Sequence, residues 1–157
     1  MVKNTDKAWL AGIVDGEGCI TGCYTMKTDK SRHHTGKTWT YPSFTFSISI
    51  SNNRKSILNE VMRITGITQT LGEVLYEKSG NTNYKWSIAG NDDILKVLDL
   101  IEPYLVGKKE NASVMRTAIN LRKNKKHKYG KDDDDKREKL LKYVCDLQDL
   151  NQNITES

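Results

Sequence analysis

The stretch AWLAGIVDGEGCI, residues 8–20, runs like a buried helix and then stops on acids set between glycines. Gly12, Gly16 and Gly18 fall within seven residues and enclose Asp15 and Glu17. Glycine in a helix interior costs roughly 1 kcal/mol relative to alanine, so a helix that keeps two of them needs a compensating contact. On a helix Ala8, Gly12 and Gly16 lie at i, i+4 and i+8, one stripe of small residues, with Leu10, Ile13 and Val14 on the other side. Such a stripe lets two helix backbones approach closely. The partner is either another helix of the same chain or a second copy of this one, and a tight helix-to-strand turn also uses glycines. Against a copy of itself, two Glu17 carboxylates face each other across a twofold axis and repel unless a cation lies between them. Hard cations such as Mg²⁺ bind through a few carboxylates, carbonyl oxygens and waters. The spacing therefore suggests a metal site built by dimerisation, with Ala8, Gly12 and Gly16 at the interface.

The surrounding pattern predicts the elements that would hold this acid. Thr5 or Asp6 can cap a helix from about Lys7 to Asp15. Residues 19–27 read as a strand, and 28–42 as a polar, basic loop with two histidines and Trp39. SFTFSISIS, residues 43–51, alternates strictly, with Phe44, Phe46, Ile48 and Ile50 on one face and Thr45, Ser47, Ser49 and Ser51 on the other. Asn52 or Asn53 can cap a second helix that Gly66 ends. Residues 72–78 and 83–89 form a hairpin, and a third helix from Asp92 or Asp93 stops before Pro103. A fourth helix spans about 108–127. A fifth begins at the acid run Asp132–Asp135, which suits the positive end of a helix dipole, and extends to about Asn151. The order is α-β-β-α-β-β-α-α, an α+β chain read as one domain over 1–157, with 128–157 as a C-terminal helical extension of it.

The bulk numbers narrow the class. With 36% hydrophobic and 29% charged residues the chain reads as globular, and no apolar run is long enough to span a membrane. Cys19, Cys23 and Cys145 lack the spacing of a zinc site and read as reduced thiols of an intracellular protein. No signal or transit segment is visible at the N-terminus. The net charge is +5, and residues 108–131 hold nine Lys/Arg against the single acid Glu110. A cluster that one-sided points to a polyanion surface, the alternative being a solvated helix face.

LAGIVDGEG, Leu10–Gly18, resembles the signature of the LAGLIDADG homing endonucleases, and PYLVGKKENA, residues 103–112, is similar to the region after the third helix in single-motif members. The resemblance covers most of the chain. It implies the α-β-β-α-β-β-α homing-endonuclease fold, with a saddle-shaped antiparallel sheet, plus an extra C-terminal helix. It also implies a homodimer that cuts both strands of a long pseudo-palindromic DNA site across the minor groove, leaving short 3′ overhangs. Glu17 occupies the place of the metal-binding acid, one methylene longer than the commoner aspartate, and the Gly16 carbonyl is the second expected ligand. Asp15 is expected to cap or hydrogen-bond at the helix end, metal contact being the lesser alternative. The cofactor implied is Mg²⁺ or Mn²⁺, with Ca²⁺ a non-catalytic substitute.

By the same resemblance Lys108, or Lys109 one place on, stands near the attacked phosphate, and Asn52, or Asn53, orders the solvent beside it. Arg54 or Lys55 is the neighbouring cation. A strand pair can enter the major groove, where each base pair shows its own donor and acceptor pattern. That nominates Thr21, Cys23, Thr25 and Lys27 on the first strand, and Thr45, Ser47, Ser49 and Ser51 on the second. On the hairpin it nominates Glu73, Leu75, Glu77, Lys85 and Ser87. Arg32 and Lys37, with His33, His34 and Trp39, would track the backbone from the loop. Arg116, Lys123, Lys125, Lys126 and Lys128 would hold phosphates, which position a protein without reading sequence.

Three rival readings compete. A non-cleaving member of the fold, an RNA maturase or DNA-binding regulator, would tolerate loss of Glu17 and Lys108, which are both present. A plain nucleic-acid-binding domain leaves the glycine stripe unexplained. A calcium loop read from DGEG lacks the spaced acids and terminal glutamate. The chloroplast, the mitochondrion and the prokaryotic cytoplasm all remain open as locations.

Overall fold

The computed structural model describes residues 1–30, 38–68, 71–76, 81–123 and 131–153. In chain order these form α1 (Asn4–Glu17), β1 (Gly18–Lys30), β2 (Thr38–Asn52), α2 (Lys55–Thr65), β3 (Leu71–Tyr76) and β4 (Asn81–Ile88). Then follow α3 (Asn91–Ile101), a 3-10 turn (Glu102–Tyr104), α4 (Lys109–Lys123) and α5 (Lys131–Asn153). The strands make one antiparallel sheet ordered β1-β2-β4-β3. One face of it is apolar: Ile20, Phe46, Ile48, Ile50, Trp86 and Ile88 are buried against Leu10 and Val14 of α1, Leu58 and Val61 of α2, Ile94 and Leu98 of α3, and Met115 and Ile119 of α4. The alternation of residues 43–51 thus sorts core from solvent as its period of two requires.

α5 completes this layer. Leu140, Val144 and Leu147 are buried in the same core cluster. At the outer edge of β1, Gln148 Nε2 donates to the Gly22 carbonyl at 3.2 Å and Asn151 Nδ2 to the Ile20 carbonyl at 3.1 Å. An edge strand left bare is a template for pairing with another chain, and side-chain donors from α5 occupy it here.

The element boundaries differ from expectation in three places. Much of 28–42 is strand rather than loop, because β1 runs on to Lys30 and β2 begins at Thr38. Thr40, Tyr41 and Trp39 are residue types that favour strands, and Pro42 pairs with Met26 where β4, paired with β2 only over Ile48–Asn52, leaves the second edge of β2 open to a residue without an N–H. Thr5 and Asp6 lie inside α1, which begins at Asn4 after an extended Lys3 with no side-chain cap. α2 begins at Lys55, so neither Asn52 nor Asn53 is its cap. Arg32, His33, His34, Lys37, Glu77, Lys125, Lys126 and Lys128 lie outside the described residues. Among those described, no helix is long and apolar enough to cross a membrane.

Candidate active site and nucleic-acid face

Helix α1 buries Leu10, Ala11 and Val14, which leaves Ala8, Gly12 and Gly16 exposed. A Cβ built at Gly12 or at Gly16 meets no atom within 4 Å. Among the described residues the small-residue stripe therefore packs against no other helix, which speaks against the intramolecular alternative. Trp9 beside the stripe is 37% exposed and Val106, next to the helix end, is 86% exposed. Large apolar residues beside an open stripe are what a buried contact with another molecule would use.

Gly18 has a different reason. It follows Glu17 directly as the first residue of β1, with φ −84° and ψ 163°, so helix passes to strand without a loop. A Cβ there would lie 2.7 Å from both the Cα and the carbonyl oxygen of Val14. That close approach fixes Glu17 at a rigid junction. We expect Gly18→Ala to destabilise the protein by about 1–3 kcal/mol, the range for overpacking a tight site, as read from urea denaturation. A wild-type midpoint would contradict the close contact.

The sheet brings Asn52 to Glu17. β1 pairs β2 as far as Gly18↔Ile50, and Asn52, two residues further along β2, reaches the end of α1. There Asn52 Nδ2 donates to a Glu17 carboxylate oxygen, while Asn52 Oδ1 accepts the Arg54 backbone N–H at 2.7 Å. The second contact is an Asx turn, and it locks the amide into the orientation that serves the acid. Arg54 is exposed at the start of α2. The neighbouring cation differs: Lys55 Nζ lies 5.7 Å from the Tyr84 ring centre in a cation–π contact.

Asp15 is engaged by the backbone that leads into α4. Its two carboxylate oxygens accept the backbone N–H groups of Val106, at 2.8 Å, and of Lys108, at 2.9 Å. It caps the chain entering α4, so the capping role expected at the end of its own helix falls on another. Lys108 also differs from expectation. Its ammonium donates to the Val14 carbonyl at 3.0 Å and to the Asp15 carbonyl at 2.6 Å, and the residue is only 7% exposed. Burial pulls the pKa of Lys108 below the ordinary lysine value, and the Asp15 carboxylate partly opposes this. Helix carbonyls occupy the amino group that was expected beside a phosphate.

The oxygen donors at the tip of α1 are thus the Glu17 carboxylate and the Gly16 carbonyl, adjacent and on exposed residues. This hard donor set suits Mg²⁺ or Ca²⁺. It is also incomplete, because among the described residues no three His, Cys, Asp or Glu side chains gather in one place. One protomer presents one acid, and a second copy would double the set.

The open face of the sheet carries the polar positions. Cross-strand pairs place Thr21 beside Ser47, Cys23 beside Thr45, Lys85 beside Ser51 and Ser87 beside Ser49, and Thr25 and Lys27 continue the row outward. β3 requires a correction. Its register pairs Glu73 with Tyr84 and Leu75 with Thr82, positions that alternate with Lys85 and Ser87. Gly72 and Val74, opposite Lys85 and Asn83, hold the places on the polar face. A one-residue difference of phase moves a strand's whole set to the other side, and GEVLYEK has no clean alternation from which to set it.

The basic helix has partners within the chain. Arg116 bonds Glu102 at 3.0 Å and Asp99 at 2.7 Å, tying α4 to the end of α3. Burial alone would lower its pKa, but the two carboxylates overcome that and raise it. Lys123 pairs with Asp92 at 2.6 Å. Arg122, which was not nominated, donates to Asn91 Oδ1 at 2.7 Å and to the Phe44 carbonyl at 3.2 Å, and lies 5.7 Å from the Phe46 ring centre. Lys108, Arg116, Arg122 and Lys123 therefore have partners within the chain, and a count of charge along the sequence cannot see such partners.

The sequence profile of the LAGLIDADG endonuclease family matches residues 10–120, and the chain belongs to that family. A probable intron-encoded endonuclease, aI2, of Debaryomyces hansenii is 26% identical over 104 residues, 65% of this chain; the chain spans only 15% of that relative's length. Among solved structures, the homing endonuclease I-CvuI in complex with its target in the presence of Ca superposes with a TM-score of 0.64 at 19% identity, covering 94% of this chain and 82% of that one. The archaeal intron-encoded homing endonuclease I-Vdi141I complexed with DNA gives 0.64 at 17% identity, covering 94% and 84%. The homing endonuclease I-TnaI gives 0.63 at 17% identity and covers 96% of each chain. The fold is the α+β homing-endonuclease fold.

Proposed function

We propose that the protein is a site-specific endonuclease of double-stranded DNA, acting as a homodimer on a long pseudo-palindromic site. The observation that carries the proposal is the exposed stripe of Ala8, Gly12 and Gly16, which ends at an acid already engaged by Asn52. A twofold contact along that stripe is isologous, so a two-copy enzyme meets a two-copy target. The paired Glu17 carboxylates and Gly16 carbonyls would hold Mg²⁺ or Mn²⁺, and Ca²⁺ would bind without supporting cleavage. Bound there, the ion supplies charge neutralisation at the phosphate and a nucleophilic water. Asn52 orients the Glu17 carboxylate, and Arg54, the exposed cation nearest this pair in the chain, would meet the phosphate. The row of short hydroxyls on β1, β2 and β4 faces the major groove, with much of the readout carried by bridging waters, and Lys27 and Lys85 supply positive charge to it.

The test is incubation of the full chain with a library of randomised duplexes and Mg²⁺, followed by sequencing of cut ends. The expected product is a double-strand break at a site with twofold symmetry and short 3′ overhangs. Binding without a cut, with RNA or DNA alike, would replace the nuclease reading with a maturase or a regulator.

A further inference from the structure

We infer that Asp15 and Lys108 form a reciprocal clasp that holds the last turn of α1, so that Lys108 is a positioning residue for Glu17 and the Gly16 carbonyl. The inference rests on the nuclease reading only in what it says about metal. The side chain of Asp15 holds the backbone at Val106 and Lys108, and the side chain of Lys108 holds the backbone at Val14 and Asp15. Each helix end is thereby served by the other helix, with a cation at the C-terminus of α1 and an anion at the approach to α4. Both placements suit the helix dipoles.

The clasp acts on the turn that matters. The Val14 carbonyl accepts the Gly18 N–H, which closes the turn containing Gly16 and Glu17, and it also accepts from Lys108 Nζ at 3.0 Å. Withdrawing the ammonium toward a phosphate would strip two carbonyls of a charge-assisted partner in a buried place. Because the stripe beside it is open, α1 gains no support from that flank within its own protomer. The clasp leaves the next carbonyl in line, that of Gly16, to a metal.

The test uses the full chain and two variants, Lys108→Met and Asp15→Asn, with two readouts. The first is amide hydrogen exchange in the protein free of metal and DNA. Lys108→Met is expected to speed exchange at residues 16–19 by about 10- to 100-fold, the effect of losing hydrogen bonds to a charged group, with α5 unchanged. Asp15→Asn, which keeps one acceptor oxygen of two, should move the same amides in the same direction. The second is calorimetric Mn²⁺ affinity of the DNA complex, expected to fall by about 10- to 100-fold as for other groups that orient metal ligands. Cleavage by Lys108→Met should then recover as Mg²⁺ is raised. Loss of cleavage at every Mg²⁺ concentration, with wild-type exchange and wild-type Mn²⁺ affinity, would overturn the clasp and return Lys108 to the phosphate. Should Lys108→Met unfold throughout, Asp15→Asn decides: faster exchange at residues 16–19 supports the clasp, and wild-type exchange there refutes it. Failure of the wild type to cut any DNA would remove the nuclease reading and leave the exchange result standing.

Discussion

Glu17→Gln is expected to bind DNA without cutting it. Glutamine keeps the length of the side chain and an oxygen that can accept from Asn52 Nδ2, so the local geometry survives. The carboxylate is on an exposed residue, and stability should stay within about 0.5 kcal/mol of the wild type. What would disappear is the negative charge at the exposed end of α1 that Asn52 holds, whereas the Asp15 oxygens accept from Val106 and Lys108. Weakened metal retention forfeits several kcal/mol of charge stabilisation, and at ~1.4 kcal/mol per tenfold that lowers the cleavage rate by about a thousandfold. DNA affinity is retained, because the polar face of β1, β2 and β4 is untouched. A gel-shift titration beside a cleavage time course on the selected site reads both quantities. Cutting by the variant at the wild-type rate would refute the assignment of the metal to Glu17.

Gly12→Leu should separate the protomer from its pair. Within one chain the substitution is tolerated, since a Cβ at Gly12 meets nothing within 4 Å and a helix interior gains roughly 1 kcal/mol on losing a glycine. Between two chains it fills the groove through which the backbones approach. A cost of about 1–3 kcal/mol at each of two copies weakens association by roughly thirtyfold to ten-thousandfold, at ~1.4 kcal/mol per tenfold. Thermal unfolding should show a protomer at least as stable as the wild type, while sedimentation shows a monomer and the cleavage assay shows no double-strand break. A variant that sediments and cuts like the wild type would mean that the stripe faces solvent in the working enzyme.

Periodic features of the fold were legible in the sequence, and partnered ones were not. The strict alternation of residues 43–51 announced β2 and both of its faces, and the acid run at 132–135 announced α5, whose Leu140, Val144 and Leu147 are buried. The strand ends were missed because Thr40 and Tyr41 were outvoted by basic and polar neighbours. At the site, Glu17 was legible from the glycines, while Asn52 rested on a resemblance. The register that ends with Gly18 opposite Ile50, and so brings Asn52 to Glu17, is a property of the folded sheet that strand lengths alone do not fix. Lys108 and Arg116 read as free charges, yet each is held by groups from 14 to 94 residues away along the chain. Spacing reports which face a residue occupies, and it is silent on what has folded against that face.

Disulfide trapping along α1 tests the central claim most directly. In a background with Cys19, Cys23 and Cys145 replaced by serine, single cysteines are placed at Ala8, Gly12 or Gly16, and at Glu138 on α5 as a control, and the DNA complex is mildly oxidised. A disulfide needs Cα atoms about 4.4–6.8 Å apart, a distance reached only where two helices touch. The account predicts a covalent dimer at one or more stripe positions and none at Glu138. Monomer at all three stripe positions, from a protein that still cuts its site, would show that the two acids are brought together by some other surface or not at all.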